Sequence, residues 1–187
     1  MTGNAAGAIE EIFVVAQKRP QRLQDVPVSV AVLSGERLEL AGIDDLFEVA
    51  REVSSLTVNQ TTSPINTSFR VRRIGNEANI PNFEPAVGLF VDGAFRSRSG
   101  LGIGDLVDVE SVEVVRGPQT TLHGKNTTAG LVSILTRQPN ASLEAAGKVS
   151  VGQLDGYDSA GMLRASGTIS GPLADDLSAR LSGAWFG

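Results

Sequence analysis

The stretch Val109–Arg137, VESVEVVRGPQTTLHGKNTTAGLVSILTR, decides the architecture, because two strand-like runs enclose a long loop of turn-forming residues. Val109, Val112, Val114 and Val115 are branched side chains that suit a pleated surface. Arg116-Gly117-Pro118 ends the run, since proline fixes its own φ and restricts the residue before it. Gly124, Gly130 and Asn126-Thr127-Thr128 fill the loop before Leu131–Thr136 resumes the strand pattern. Residue physics therefore predicts a hairpin-like unit with an elaborate loop.

Upstream, Ile9–Ala16 reads as a short strand without an obvious neighbour. Val26–Leu33 alternates Val28, Val30 and Val32 against Ser29 and Ala31, as a strand with one buried face does. Ser34 caps a helix over Gly35–Leu40, with Glu36 in the first turn and Gly42 past its end. A second helix is predicted from Asp44 or Asp45 to about Glu52. Leu56–Val58 and Phe69–Ile74 read as short strands around the polar loop Asn59–Asn66. Ala86–Val91 leads through Asp92-Gly93, a hairpin-turn signal, to Ala94–Arg96. A loop of Ser, Gly and Arg follows to Gly104, with a brief helix near Asp105–Val107. Short strands and helices without regular alternation predict an α+β domain with a small mixed sheet, short helices and long loops.

The pattern changes after Pro139. Lys148–Val151, Met162–Ser170 and Leu177–Phe186 alternate large or apolar residues with small or polar ones, separated by Asp155-Gly156 and Gly171-Pro172. These are antiparallel strands, and the strands of a transmembrane barrel carry the same two-residue period. Three strands of a water-soluble sheet would look similar. Trp185-Phe186 is placed where an aromatic girdle would lie.

Composition excludes several function classes. The net charge of −5 over 187 residues, with no run of basic residues, argues against a nucleic-acid partner. There is no cysteine, so disulfides, thiolate metal sites and a cysteine nucleophile are excluded. The 21 glycines against only 5% aromatics predict many turns and close backbone packing. No apolar run reaches the ~20 residues of a spanning helix, and the start lacks the basic and apolar regions of a signal peptide. Residues 1–8 read as a flexible leader. His123 is the single histidine, too few for a zinc set or a catalytic dyad. Gly117–Asn126 has Asn126 where a phosphate loop needs Ser or Thr, and Gly100, Gly102 and Gly104 lack a strand-to-helix setting. Glu10-Glu11 and Asp175-Asp176 read as solvated carboxylates. The expectation is no catalytic residue, no metal, no cofactor, and no enzyme.

Several motifs together resemble the plug domain of TonB-dependent outer-membrane receptors. Arg116-Gly117-Pro118-Gln119, then Gly124-Lys125-Asn126-Thr127-Thr128 and an apolar strand ending in Thr136-Arg137, is similar to that family's hallmark. Glu11-Ile12-Phe13-Val14-Val15-Ala16 resembles the TonB box, and Gln24–Val28 the first plug strand. Phe83–Gly88 with Val91-Asp92-Gly93 resembles the central segment. The resemblance covers nearly all of Glu11–Gly187, with the motifs in the family's order. Arg73, Thr120, His123 and Ala129 depart from it, standing where relatives have glycine, glycine, tyrosine and glycine; a side chain where glycine permits close approach is expected to disturb the loop.

The resemblance implies a division into leader (1–8), TonB-box-like segment and linker (9–19), plug (20–140) and the first strands of a barrel (141–187). It implies TonB binding by residues 11–16 through strand addition to the partner's sheet. An edge strand of the plug's own sheet is the plain alternative for these residues. It also implies that Arg72 and Arg116 lock the plug to barrel glutamates beyond Gly187, as buried arginines need such partners; a simply solvated arginine is the plain alternative for either. Outward loops would meet substrate, making Asn59, Asn66, Asn79, Phe83, Arg96 and Arg98 candidates, with Arg96 and Arg98 suited to an anionic chelate. Arg96 and Arg98 as solvated loop charges is the plainer reading. The implied function is the front of a transporter whose plug gates uptake of a scarce nutrient, such as a ferric siderophore, in the outer membrane of a Gram-negative bacterium. Its implied partners are the TonB carboxy-terminal domain, the rest of the barrel and a small-molecule ligand. Strands of about 10 residues close only in sets of eight or more, and relatives imply ~22, so residues 141–187 are expected to be an incomplete barrel. A free-standing periplasmic module with a plug-like fold, binding or signalling without transport, is the alternative.

Overall fold

The computed structural model describes residues 13–15, 18–60, 67–75, 84–97, 106–154 and 160–186. A two-stranded ladder opens the chain: β1 (Phe13–Val14) pairs antiparallel with β2 (Gln21–Arg22). The neighbour of β1 that sequence reading did not supply is therefore this short return strand. After one 3-10 turn at Leu23–Asp25 comes β3 (Ser29–Ser34).

Two helices follow, as their caps predict. In α1 (Gly35–Ala41) the Ser34 hydroxyl accepts from Arg37 N–H, and Gly42 closes the end at φ 67°. In α2 (Leu46–Glu52) the Asp45 carboxylate accepts from Glu48 N–H. Glu48 in turn accepts from Asp44 N–H at 2.6 Å, so the two side chains satisfy one backbone donor inside the first turn and one just before it. Leu38, Leu46 and Val49 form the buried stripes of these helices.

A three-stranded antiparallel sheet comes next: β4 (Leu56–Gln60), β5 (Thr67–Val71) and β6 (Ile74–Gly75). The expected single strand Phe69–Ile74 is in fact broken by a turn at Arg72-Arg73, where both residues have positive φ, 53° and 67°. A two-residue hairpin loop of type I′ needs φ > 0 at both positions, whichever residues occupy them.

The main sheet has five strands in the order β3-β9-β10-β7-β8, made with β7 (Val87–Val91), β8 (Ala94–Arg96), β9 (Val109–Arg116) and β10 (Gly130–Thr136). Only the β7–β10 pairing is parallel. The Asp92-Gly93 turn forms as predicted, with φ of 49° and 77°, and the Asp92 carboxylate accepts from both N–H and hydroxyl of Thr136 at 2.8 and 2.9 Å. The brief helix expected near Asp105–Val107 does not form at Leu106 and Val107, whose backbone is irregular. Leu106 N–H donates instead to the Asp44 carbonyl at 2.8 Å, tying this segment to the entry of α2.

Between β9 and β10 the loop is closed by its own backbone: Gly117 N–H to the Ala129 carbonyl and Gln119 N–H to the Thr127 carbonyl. It contains one unpredicted helical turn, α3 (Thr120–His123). Gly130 opens β10 at φ 155°, and a Cβ there would stand 2.4 Å from the Val115 carbonyl oxygen. Ala129, where a disturbance was expected, is buried in the main core and its N–H donates to the Ala86 carbonyl at 2.9 Å.

The remaining strands, β11 (Glu144–Leu154), β12 (Ala160–Ala174) and β13 (Leu177–Phe186), form a separate antiparallel sheet that is open on both edges. Here β12 runs through Gly171-Pro172, which sequence reading had taken as a separator, and turns at Asp175-Asp176. Pairing with β11 ends at Ser170, so Pro172 lies where β12 has a neighbour on one side alone, beside a bulge. A missing N–H is harmless there. Val149, Val151, Leu163, Ile169, Leu181 and Trp185 are exposed, while Arg164, Ser166 and Thr168 alternate with them and face the preceding domain. No helix among the described residues is long and apolar enough to cross a membrane.

Two substitutions of opposite sign check the backbone analysis by thermal unfolding of the protein carrying this chain. Gly130→Ala should destabilise by about 3 kcal/mol, because neither φ nor the Val115 carbonyl leaves room for the methyl. Arg73→Gly should stabilise by about 0.5–1 kcal/mol, the relief of a left-handed arginine less the extra entropy of glycine.

Candidate functional site

Three features of this fold carry chemistry that a binding or gating role would use. The first is the N-terminal segment. Phe13 is exposed, Val14 is completely buried and Val15 is at the margin of exposure. Val15 N–H donates to the buried Glu113 carboxylate at 2.7 Å, so the segment lies against the main sheet. Glu11, Ile12 and Ala16 fall outside the described residues.

The second is the pair of arginines. Arg116 is the last residue of β9; its Nη2 reaches the Val30 carbonyl at 3.5 Å, and its Nε is buried with no hydrogen-bond partner among the described residues. Arg72 is exposed in the β5–β6 turn, and its backbone N–H donates to the Ser55 carbonyl at 2.8 Å. The Val71 methyls stand against Gly130, and Gly130 lies opposite Arg116 in the ladder. The fold thus brings Arg72 and Arg116 to one end of the domain, far apart in sequence though they are.

The third feature was not read from sequence at all. A cleft of about 340 Å³ lined by Glu39, Asp44, Asp108, Arg137, Arg164 and Arg180 separates the preceding domain from the β11–β13 sheet. Across it, Arg180 meets Asp108 in a bidentate pair at 2.5 and 2.5 Å, and the Ser182 hydroxyl also donates to Asp108. Arg164 meets Asp44 at 2.5 Å. The Arg180 and Asp108 side chains are only 12% and 8% exposed, so this pair is shielded from solvent. Burial pushes the Asp108 carboxyl up, but hydrogen bonds from Arg180 and Ser182 and the charges of Arg180 and Arg137 outweigh it and hold it below the ordinary 3.8. Asp108 also has φ 56°, a conformation that an aspartate tolerates better than most residues. The available signal was the two-residue period, which puts Arg164 and Arg180 on the polar side of strands whose other side is apolar. Two cations facing a neighbouring domain call for acids on it.

The loop candidates are dispersed. Asn59 is exposed on β4, at the end away from the Arg72 turn, and Arg96 is exposed at the end of β8. They stand on different sheets. Asn66, Asn79, Phe83 and Arg98 lie outside the described residues. His123 packs edge-on against Phe90 at 5.2 Å between ring centres. Burial, and then the Lys18 charge, lower its pKa below 6.5. No group of three or more His, Cys, Asp or Glu among the described residues is placed to hold a metal ion.

Comparison with known proteins agrees with this architecture. Residues 22–131, more than half of the chain, match the family model described as TonB-dependent Receptor Plug Domain. The pesticin receptor of Yersinia pestis is 30% identical over 167 residues, which are 89% of this chain and 24% of the relative. The iron-regulated outer membrane virulence protein of Vibrio cholerae is 27% identical, covering 93% of this chain and 27% of its own length. Among solved structures, the ferric yersiniabactin uptake receptor FyuA from Yersinia pestis superposes with a TM-score of 0.67 at 30% identity, over 84% of this chain and 24% of that one. The siderophore receptor PirA from Pseudomonas aeruginosa superposes with a TM-score of 0.62 at 26% identity, over 86% and 28%. The chain thus spans about a quarter of the length of these relatives. Its five-stranded sheet, capped helices and closed Arg-Gly-Pro-Gln loop are those of a plug, and the chain belongs to the TonB-dependent receptor plug domain family.

Proposed function

We propose that this chain is the front of a TonB-dependent transporter in the outer membrane of a Gram-negative bacterium, with a plug that gates uptake of a ferric siderophore. The family membership supports the transporter. The names of relatives that take up or receive siderophores support the ligand class. The single observation that carries the reading beyond family membership is the β11–β13 sheet, which turns an apolar face outward and a polar, arginine-bearing face onto the plug. Such a sheet suits lipid on one side and plug on the other. A free-standing module in water would have to leave Val151, Leu181 and Trp185 exposed, at 82%, 73% and 57%. The protein binds, holds and releases; it does no covalent chemistry of its own.

In this reading the plug is held from two sides. Asp44 and Asp108 hold the first strands through Arg164 and Arg180. Arg116 and Arg72, at the other end of the plug's pairing scheme, are left to meet carboxylates of strands beyond Gly187. Residues 11–16 are the segment that engages the TonB carboxy-terminal domain by adding a strand to it. The loops bearing Asn59, Asn66, Asn79, Phe83, Arg96 and Arg98 are the surfaces offered to ligand.

An antibody against residues 75–98 tests the whole reading on outer-membrane fractions. A band several times heavier than 19.5 kDa is expected, and a soluble band at that mass would refute the transporter. For the coupling segment, Val14→Pro should abolish association with the TonB carboxy-terminal domain in a pull-down, since proline removes the N–H and the strand geometry. Unchanged affinity would reject Val14 as a pairing residue. For the plug-to-strand contact, Asp108→Asn in the full-length protein should speed amide hydrogen exchange across residues 177–186. Breaking a shielded pair leaves the Arg180 guanidinium without its bidentate acceptor, at a cost of about 3 kcal/mol. The sign with pH follows from the lowered pKa: the unmutated contact is intact above 3.8 and is lost as pH falls through its still lower folded value. The Asn variant should lack that acid transition.

A further inference from the structure

Alternation along β9 gives it two buried faces. Val112 and Val114 join the larger cluster with Leu38, Leu46 and Val49. Val115 joins Phe90 and Leu131 on the other face, with Val28 and Val30 at its margin. Glu113 shares that second face, between Val32 and Ser133 in the ladder, and is 0% exposed. An apolar residue here would complete the face, whereas a carboxylate in such a place is costly unless something is gained from its acceptor oxygens.

What Glu113 holds is the backbone of the N-terminal segment. Its Oε1 accepts from Val15 N–H at 2.7 Å, joining residues 98 apart in sequence. Val14, beside it, is 0% exposed. The β1–β2 ladder has two residue pairs, Phe13 with Arg22 and Val14 with Gln21, too few to hold a strand unaided. A hydrogen bond from a backbone amide to a carboxyl oxygen is strengthened where water is excluded, and this one is placed where the ladder runs out.

We propose that Glu113 is a latch through which the central strand of the plug holds the N-terminal segment, and so sets how much of that segment is free to pair with an extended-strand partner. A segment that adds to another protein's sheet needs one backbone edge free and its side chains clear of the plug. With Val14 buried and Val15 N–H committed to Glu113, the docked segment meets neither need. The identity of that partner rests on the reading of residues 11–16 given above; the latch itself rests on the contact alone.

The test uses the full-length transporter in native outer membranes. The 187 residues contain no cysteine; Val14→Cys adds a thiol whose reaction with a maleimide, read against the same protein with Val14 intact, reports release. Glu113→Ala in that background should raise the labelling rate at least ten-fold. Glu113→Gln, which keeps an acceptor oxygen, should raise it less. Equal rates in Glu113→Ala and its parent would overturn the latch. Should Glu113→Ala fail to assemble, Val15→Pro removes the donor without touching the sheet; faster labelling supports the latch and an unchanged rate overturns it. Affinity for the TonB carboxy-terminal domain, measured without external ligand on the Glu113 variants, should rise in step with labelling. Faster labelling with unchanged affinity would overturn the assignment of the partner and leave the latch standing.

Discussion

Strand β9 has hydrogen-bonded neighbours on both edges and packing on both faces, and the rest of the plug is arranged to meet those four demands. β3 and β10 take the edges through antiparallel ladders. Helices α1 and α2, with the β4–β6 sheet, cover the face that carries Val112 and Val114. The opposite face is narrower and receives Phe90, Leu131 and the chain's own N-terminal segment. Backbone groups so enclosed cannot turn to water, so each must be paired within the fold. The loop from Gly117 to Ala129 meets the same rule by bonding to itself and to the Ala86 carbonyl.

Much of this was legible because its signals are local. Val109–Arg116 and Gly130–Thr136 announce themselves by branched residues and by the proline and glycines between them. Ser34 and Asp45 announce helices because a cap satisfies donors within three residues of itself. Asp92-Gly93 announces a turn because both φ values must be positive. What escaped depends on partners distant in sequence. No feature of Gln21-Arg22 marks it as a strand apart from its being opposite Phe13-Val14. Gly171-Pro172 looked like a break because proline is read as one; only the absence of β11 beyond Ser170 makes it acceptable. The division of Phe69–Ile74 was missed because arginine, unlike glycine, gives no sign of a left-handed turn.

The candidate site was half legible for the same reason. Arg72 and Arg116 could be picked out by motif, yet the ion pairs that join the plug to the following strands among the described residues run the other way, from acids of the plug to arginines of those strands. Asp44 sits at a helix entry and Asp108 at a turn before β9, both ordinary places for aspartate, so neither is conspicuous in one dimension. The outward apolar row from Val149 to Trp185 and the inward polar row with Arg164 and Arg180 are two readings of one alternation. The inward half acquires meaning only once a second domain lies beneath it.

The order of strands in the five-stranded sheet has a mechanical corollary. The chain passes from the N-terminal ladder almost directly into β3, and among the described residues β3 is an edge strand, bonded to β9 alone. Tension entering near Phe13 would first load the two pairs of β1 and β2 and the Val15–Glu113 bond, then arrive at an outer strand with six pairs. The ladders that join the inner strands β9, β10 and β7 meet that tension last, because once the Val15–Glu113 bond has parted the chain leads to them only through β3, the two helices and the β4–β6 sheet. Topology alone thus grades the domain into a yielding rim and a resistant centre, and a passage could open along the rim while the centre keeps its shape.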